Sequence, residues 1–336
     1  MRIYQLHILL VSIILYSFTT NFVIAQYTID PDFIKARSFI TVSEWDSALH
    51  YVSKFADKTR NKDALLEKGK ILYFKAEYKM AIDEFTRVEE IEKGKASIWL
   101  ARSYAKLNDL ENCLASLKLN LTSKYKLPES EIMLDNDFQN YEKDPQWLKF
   151  WRENNWYTAF DHTMAEADFL IKTKKYPDAI NLLSESLSKG YRKGPIYERR
   201  ARVYYELKNY NLALSDLNNA IMNGSNNPGL FHERARLNYM TGNFRQSLED
   251  YNTAIKLSPN EMGLYQERAM AQNKTGNYES AIKDMNFYLT YYPKNDSAWF
   301  NCGLIYSENE NYMEALSCFN KSLKLNLISS SFSFSR

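Results

Sequence analysis

The sequence has few residues that interrupt helices, and it has almost no excess charge. Its 336 residues include 10 glycines and 8 prolines, and such scarcity is typical of helical proteins with short turns. The 43 basic and 41 acidic residues leave a net charge of +2, so no overall field would attract nucleic acid or an anionic membrane. Apolar residues make up 45% of the chain, which is enough for a large core.

The chain also lacks the sequence signatures of common catalytic and metal sites. It contains no glycine-rich phosphate loop, nucleophile elbow or zinc-protease motif. No histidine stands at metal-ligand spacing from a cysteine or another histidine; the four histidines are His7, His50, His162 and His232. We therefore predict that the protein is not an enzyme and needs no cofactor. An enzyme would require carboxylates that converge from distant positions.

The N-terminus predicts export. Arg2 precedes an almost wholly apolar run over residues 6–16, and small residues follow at 23–25. This order is that of a secretory signal peptide, so we predict a signal peptide over 1–25 and Gln26 as the first mature residue. The alternative is an uncleaved membrane anchor, because the run nearly reaches bilayer length. No cysteine lies near the cleavage position, which argues against a lipoprotein, and no other stretch could span a bilayer.

The C-terminal half repeats itself every 34 residues. A fixed period of this size indicates stacked supersecondary units. The first column of the repeat is Ala167, Ala201, Ala235, Ala269 and Gly303, the second is Tyr176, Tyr210, Phe244, Tyr278 and Tyr312, and the third is Ala179, Ala213, Ser247, Ala281 and Ala315. Three earlier stretches keep the order at a slightly shorter period: Ala36/Trp45/Ala48, Gly69/Tyr78/Ala81 and Ala101/Leu110/Cys113.

A pair of short antiparallel helices explains this spacing. Small side chains let two helices approach closely, and the aromatic residue near the start of the second helix packs against the first. Turns are expected between the two helices at Lys208-Asn209, Thr241-Gly242-Asn243 and Thr275-Gly276-Asn277. Helix-stop signals close the units at Lys189-Gly190, Asn223-Gly224, Ser258-Pro259 and Tyr292-Pro293.

With these residues the chain resembles the tetratricopeptide repeat (TPR) family. Unit 228–261 shows the family motif as Phe231, Ala235, Phe244, Ser247, Tyr251, Ala254 and Pro259. Unit 296–329 shows it as Trp299, Gly303, Tyr306, Tyr312, Ala315 and Phe319. The resemblance implies an all-α TPR helical-hairpin solenoid, a right-handed superhelix of about eight repeats. The repeats form two blocks, three units in 30–123 and five units in 160–327.

Residues 124–159 do not follow the period. Asp144-Pro145 predicts the start of a short helix, with an N-cap followed by proline in the first turn. The helix would carry Trp147, Leu148 and Trp151 on one face, and an earlier short helix is indicated by Leu134, Phe138 and Tyr141. We predict that this Trp-rich segment, which also contains Trp156, bridges the two blocks and caps the first one. The alternative is an aromatic site for a partner.

Two columns sixteen residues apart predict contacts between the helices of a hairpin. They pair Arg200 with Asp216, Arg234 with Asp250, and Arg268 with Asp284, and we interpret these as structural ion pairs. In the last unit the same columns hold Cys302 and Cys318. Export would bring the two thiols into conditions that allow a disulfide, although a contact between Arg and Asp does not guarantee disulfide distance. Free buried thiols are therefore the alternative, and Cys113 is predicted to lie in the core.

In the TPR family the first helices of the units line the inner, concave face. The resemblance thus implies a partner-binding stripe of polar and aromatic residues, formed by Glu198, Arg199, Arg202, Tyr205, His232, Glu233, Arg236, Tyr239, Gln266, Glu267, Met270 and Asn273. The stripe lacks the Lys/Asn/Arg clamp of the family's chaperone-tail binders, so that role is not supported. An ordinary solvated face is the alternative interpretation.

The end of the sequence, residues 328–336, is a Ser/Phe tail without the pattern of an amphipathic capping helix. Either it folds back through Phe332 and Phe334, or a second chain covers this end by homo-association, or the reading frame is incomplete.

We predict a non-catalytic scaffold that holds a protein or peptide in the cell envelope, in the periplasm or outside the cell. The alternative is a receptor-like solenoid for a small ligand or glycan, with Tyr205 and Tyr239 as an aromatic platform. The composition and the residue after the cleavage position resemble those of exported Bacteroidota proteins.

Overall fold

The computed structural model describes residues 30–223 and 227–333, with side chains up to residue 327 at the C-terminal end. Over this part the chain forms 18 α-helices and one 3₁₀-helix, and no strand. The predicted all-α fold of paired helices is therefore confirmed. The predicted signal peptide, residues 1–25, and the side chains of Phe332 and Phe334 lie outside the described residues.

The described helices belong to two compact units. We call the unit with the helices before residue 224 the N-terminal unit, and the unit with the helices after residue 227 the C-terminal unit. The boundary between the units falls inside the predicted second block of repeats. The N-terminal unit contains α1 (Pro31–Ile40), α2 (Trp45–Thr59), α3 (Lys62–Phe74), α4 (Tyr78–Ile91), α5 (Ser97–Lys106), α6 (Leu110–Leu121), α7 (Glu129–Met133), the 3₁₀-helix Gln139–Tyr141, α8 (Pro145–Arg152), α9 (Ala159–Lys172), α10 (Tyr176–Ser186), α11 (Lys193–Glu206) and α12 (Tyr210–Met222). The C-terminal unit contains α13 (Pro228–Met240), α14 (Phe244–Leu257), α15 (Met262–Lys274), α16 (Tyr278–Tyr291), α17 (Asp296–Glu308) and α18 (Tyr312–Ser333).

Eight antiparallel hairpins account for all helices of residues 30–223 and 227–333 except α7 and α8: α1/α2, α3/α4, α5/α6, α9/α10, α11/α12, α13/α14, α15/α16 and α17/α18. The small residues of the repeat lie where the two helices of a hairpin meet. Ala36, Ala167 and Ala269 are fully buried. Glycine stands in this column where the opposite helix places a phenylalanine ring against it. A Cβ on Gly303 would lie 2.5 Å from the ring of Phe319, and one on Gly69 would overlap Phe85.

The turns between paired helices share one backbone conformation. The residue at the tip is left-handed, with φ of 59° at Lys208, 81° at Gly242 and 76° at Gly276. Glycine adopts this region without steric cost, whereas the Cβ of a lysine is crowded by the backbone there. The predicted turns are therefore confirmed, and so are the helix ends: α12 stops at Met222 and α14 at Leu257.

The three predicted Arg–Asp pairs are formed, and each is bidentate. Arg200 donates to Asp216 at 2.7 and 2.9 Å, and the other two pairs have the same geometry with distances of 2.6–2.9 Å. Arg200 also donates to Ser184 at 2.9 Å, and Arg268 donates to Asn252 at 2.8 Å. Each of these two arginines thereby joins the second helix of its own hairpin to the second helix of the hairpin before.

The Trp-rich segment packs into the core of the N-terminal unit. Phe138, Tyr141, Trp147 and Tyr157 are buried in one cluster with residues of the third hairpin, namely Ile98, Ala101, Cys113 and Leu117. Asp144 caps α8 as predicted, because its carboxylate accepts hydrogen bonds from the backbone of Gln146 and Trp147. Burial of these rings agrees with a capping element and gives no support for an aromatic partner site.

Two details of this segment differ from the prediction. No single helix joins Leu134 to Tyr141: α7 ends at Met133, and Leu134 is 78% exposed. Leu148 is also exposed, because α8 buries only the side of the helix that carries Trp147. A short helix buries a narrow face, so spacing alone places too many residues on it.

The last helix is longer than predicted. α18 continues to Ser333, into the predicted Ser/Phe tail. None of the helices in residues 30–223 and 227–333 combines the length and apolar character that crossing a membrane requires.

Candidate functional site: a charged cleft and the first-helix faces

A cleft of about 410 Å³ opens in the N-terminal unit where α7, α9 and α11 come together. It contains three residues of the predicted binding stripe together with residues that the stripe did not include. The lining consists of Pro128, Ser130, Glu131, Ala165, Asp168, Ile171, Lys172, Glu198, Arg199 and Arg202.

The repeat places α9 and α11 side by side as consecutive first helices. The start of α9 is fixed by a capping box, in which Thr158 and Asp161 each bond the other's backbone. On α11, Glu198 and Arg202 are one turn apart and therefore project from the same face. The cleft wall opposite comes from α7, in the segment that does not repeat.

One ion pair ties the two repeat helices together at the cleft. Arg199 donates to Asp168 through Nε and Nη2, both at 2.9 Å, and its Nη1 donates to the carbonyl of Pro195 at 3.3 Å. Such a bidentate pair fixes the planar guanidinium. Arg199, which the sequence assigned to the partner-binding stripe, therefore pairs with a residue of the protein itself.

Four other charged groups of the cleft have no such partner within the described residues. The side chains of Glu131, Lys172, Glu198 and Arg202 make neither a hydrogen bond nor an ion pair there. Two are acidic and two are basic, so the cleft is balanced in charge and offers sites of both signs. Glu198 is half-buried and the other three are exposed.

The sequence contained a signal for part of this cleft. Moved back by one period of 34 residues, the stripe residues Arg199, Arg202 and Tyr205 fall on Ala165, Asp168 and Ile171, all of which line it. Lys172 follows on the same helix. Glu131 could not be found this way, because it lies in the segment without a period.

The C-terminal unit brings three stripe residues together around one carboxylate. Oε2 of Glu267 lies 2.7 Å from Nε2 of His232 and 4.0 Å from Nε of Arg236, and it accepts a hydrogen bond from the hydroxyl of Tyr251 at 2.9 Å. Burial alone would raise the pKa of Glu267. The hydrogen bonds with His232 and Tyr251, and the charges of His232 and Arg236, outweigh burial and hold this pKa below its usual value.

The predicted aromatic platform is not formed by free rings. Tyr205 packs on Tyr210 with ring centroids 6.0 Å apart, and Tyr239 packs edge-on against Phe244 at 5.5 Å. Each ring is thus held by the second helix of its own hairpin. Both are only half-buried.

Asn273 corrects the predicted stripe. It is 2% exposed, so it cannot line an open face, and within the described part of the chain neither polar atom of its amide has a hydrogen-bond partner. The other stripe residues of the C-terminal unit, Glu233, Gln266 and Met270, are half-buried on α13 and α15.

The sulfur atoms of Cys302 and Cys318 lie 3.0 Å apart, and both residues are buried free thiols. The two columns that hold arginine and aspartate in other hairpins therefore face each other here too. Within residues 30–223 and 227–333, no three His, Cys, Asp or Glu residues are grouped so that they could hold a metal ion.

Comparison with known proteins gives one family match. Residues 297–326 match the tetratricopeptide repeat family. No curated protein matches the sequence.

Several solved structures are similar to about half of the chain. The crystal structure of YrrB, described as a TPR protein with an unusual peptide-binding site, is 20% identical; the match covers 52% of this chain and 89% of YrrB, with a TM-score of 0.47. MamA from Desulfovibrio magneticus RS-1 is 12% identical over 49% of this chain and 93% of that chain, with a TM-score of 0.47. The C-terminal part of a TPR repeat-containing protein from Cytophaga hutchinsonii is 26% identical over 48% of this chain and 64% of that chain, with a TM-score of 0.43.

Proposed function

We propose that this protein is a non-catalytic scaffold of the cell envelope, and that it binds an extended protein or peptide segment through the first-helix faces of its hairpins. The observation that carries the proposal is the cleft between α7, α9 and α11. Its volume is that of an ordinary ligand site, and four charged groups in it have no ion-pair partner among the residues that the structure describes.

The cleft favours a peptide that carries charges of both signs. Lys172 and Arg202 are suited to a carboxylate, and Glu131 and Glu198 to a basic side chain. Because these groups are mostly exposed, each new ion pair adds little affinity but discriminates between sequences.

The composition of the cleft argues for a peptide over a glycan. Sugars are commonly held against aromatic rings, and none of the ten residues that line the cleft is aromatic. Tyr205 and Tyr239 already pack against rings of their own hairpins. The glycan-binding alternative therefore has no platform in the cleft.

Binding of a peptide library to the mature chain tests the proposal. We expect the selected peptides to combine acidic and basic residues and to bind less tightly as salt rises. Arg202→Glu should weaken the binding of these peptides severalfold, because it removes one attraction and adds a repulsion for their carboxylates. Lys193→Glu is the matched control, because Lys193 is exposed on the same helix outside the cleft, and it should leave binding unchanged.

Two results would contradict the proposal. One is equal binding by the Arg202→Glu and wild-type proteins. The other is selective binding of oligosaccharides that competes with the peptides, which would favour the receptor-like alternative.

Export is the second part of the proposal, and its support is the order of residues at the N-terminus. Mass spectrometry of the intact protein from a native envelope fraction is the test. A chain that begins at Gln26 is expected. A chain that begins at Met1 in the membrane fraction would indicate the uncleaved anchor instead.

A further inference from the structure

The last hairpin brings two cysteines into contact in the core. Cys302 lies on α17 and Cys318 on α18, and they are 1% and 5% exposed. Their Sγ atoms are 3.0 Å apart. Disulfide formation would require the two atoms to move together by only about 1 Å.

The repeat shows that this contact is specific to the last hairpin. At the same two positions, hairpins α11/α12, α13/α14 and α15/α16 carry the bidentate ion pairs Arg200–Asp216, Arg234–Asp250 and Arg268–Asp284. These positions therefore carry the side chains that link the two helices of a hairpin. In α17/α18 two thiols stand in place of the ion pair.

We propose that Cys302 and Cys318 form an intramolecular disulfide that links α17 to α18 when the chain folds in the presence of a disulfide oxidant. In the first step, the thiolate of one cysteine attacks the oxidant, a new S–S bond forms, and one equivalent of oxidant thiol leaves. In the second step, the other cysteine attacks the protein sulfur of this mixed disulfide and releases the second thiol. The protein loses two hydrogens, and the oxidant disulfide is reduced to two thiols.

Burial decides when the bond can form. It raises the pKa of the Cys302 thiol, and the neighbouring Cys318 adds to this effect, so little thiolate is present in the folded hairpin. We therefore expect the bond to form during folding or when the hairpin opens, and to be slow in the folded protein. The proposal does not depend on the identity of the partner or on the cleft.

Cys113 provides an internal control. It is buried in the N-terminal unit, and no other cysteine is within bonding distance of it in the described residues. Burial raises its pKa to about 12. It should stay a thiol under conditions that oxidise the other two.

The test is oxidative refolding of the full mature chain. The reduced, denatured protein is refolded in a buffer of glutathione and glutathione disulfide, or in a reducing buffer, and then alkylated in denaturant. We expect one alkylated cysteine after oxidative refolding and three after reductive refolding.

Peptide mapping identifies which two cysteines are bonded. Trypsin should release Cys302 and Cys318 on one peptide, because no Lys or Arg lies between Lys294 and Lys321. Cleavage at Glu308, Glu310 or Glu314 should then give two fragments that separate only on reduction.

Three alkylated cysteines after oxidative refolding would overturn the proposal. So would stable glutathione adducts on Cys302 or Cys318, because they would mean that the second thiol cannot reach the first.

Stability supplies a second measurement. The oxidised protein should unfold at higher denaturant concentration than the reduced one, and Cys113→Ala should keep this shift. Cys318→Ser should abolish it. The double variant C302R/C318D, which restores the ion pair of the other hairpins, should fold and show no dependence on redox conditions. If the oxidised and the reduced wild-type proteins unfold at the same denaturant concentration, the bond does not link Cys302 and Cys318 in the native hairpin, and the proposal is wrong.

Discussion

At the scale of single residues, the buried carboxylates of the hairpins are the most sensitive points. Asp216, Asp250 and Asp284 are 2%, 5% and 8% exposed, and each is matched by one arginine. A buried charge without its partner is costly, whereas an apolar pair of similar volume can replace both residues at little cost.

This predicts an asymmetry between single and double variants. Arg268→Met should lower the free energy of unfolding by about 3 kcal/mol, because Asp284 is left buried and unpaired. Arg268→Met combined with Asp284→Leu should recover most of the loss. Denaturant unfolding followed by circular dichroism measures both variants. Losses that simply add up would contradict the interpretation.

Glu267 predicts a dependence on pH. Its pKa in the folded protein is below the usual 4.5. The folded state therefore stabilises the ionised carboxylate relative to the unfolded state, and this ionisation adds to the free energy of unfolding. The contribution is fully present above pH 4.5 and is lost as the pH falls through the folded pKa. We expect wild type to be more stable than Glu267→Gln at pH 7, and the difference to shrink as the pH drops below about 4.5.

The check is a series of denaturation midpoints for both proteins between pH 3 and pH 7. A difference that stays constant over that interval would show that the charge of Glu267 has no part in stability.

At the scale of helices, the close approach within hairpins depends on complementary volumes. Gly303 and Phe319 are sixteen residues apart, and so are Ala201 and Leu217, which are both buried in another hairpin. In these two hairpins, the phenylalanine is accompanied by glycine and the leucine by alanine.

Gly303→Ala should therefore be destabilising despite the better helix propensity of alanine. The added methyl group would lie 2.5 Å from the ring of Phe319, and overpacking of this kind costs about 1–3 kcal/mol. Gly303→Ala with Phe319→Leu reproduces the alanine–leucine pair and should regain stability. Gly263→Ala is the control, since no atom lies within 4 Å of the new methyl group. Thermal or denaturant unfolding measures the stability of the three variants. A Gly303→Ala variant as stable as wild type would show that the added methyl group is accommodated without overpacking.

The sequence predicted most of the elements because the repeat supplied several independent copies of each signal. Small residues, a following aromatic residue and a left-handed turn recur at fixed spacing, so an error in one unit is corrected by the others. Residues 124–159 have no second copy, and there the helix through Leu134 and Tyr141 was wrong. The pattern of the Ser/Phe tail did not show that α18 continues to Ser333.

The candidate site was less predictable than the fold. Periodicity placed Glu198 and Arg202 on one face, and both line the cleft. It could not show that the guanidinium of Arg199 pairs with the carboxylate of Asp168. It also placed Asn273 on that face, whereas packing of the hairpin buries it. Which charges stay unpaired is decided by contacts between helices, and a spacing rule does not contain that information.

At the scale of the whole molecule, α18 exposes leucine side chains. Leu316 and Leu323, which lie two turns apart on one side of the helix, are 55% and 59% exposed among the described residues. One period earlier, Leu289 is 4% exposed in a helix that packs against the next hairpin. We propose that a second copy of the chain covers the face of α18, by the kind of contact that the next hairpin makes with α16.

This proposal predicts association that depends on concentration. Light scattering during size-exclusion chromatography should show a dimer of the mature chain at high concentration, and Leu323→Glu should shift it to a monomer. Ser317→Glu, which adds the same charge on another side of α18, should not. A wild-type monomer at all concentrations would contradict the proposal.

The arginines that reach two hairpins have a mechanical consequence. Arg200 holds Ser184 on one hairpin and Asp216 on its own, and Arg268 holds Asn252 and Asp284 in the same way. A pull on one hairpin is therefore transmitted to its neighbour before either peels away. Under tension, hairpins α9/α10 and α11/α12 should yield as one step, and so should α13/α14 and α15/α16, which would give the protein a few large rupture events instead of many small ones.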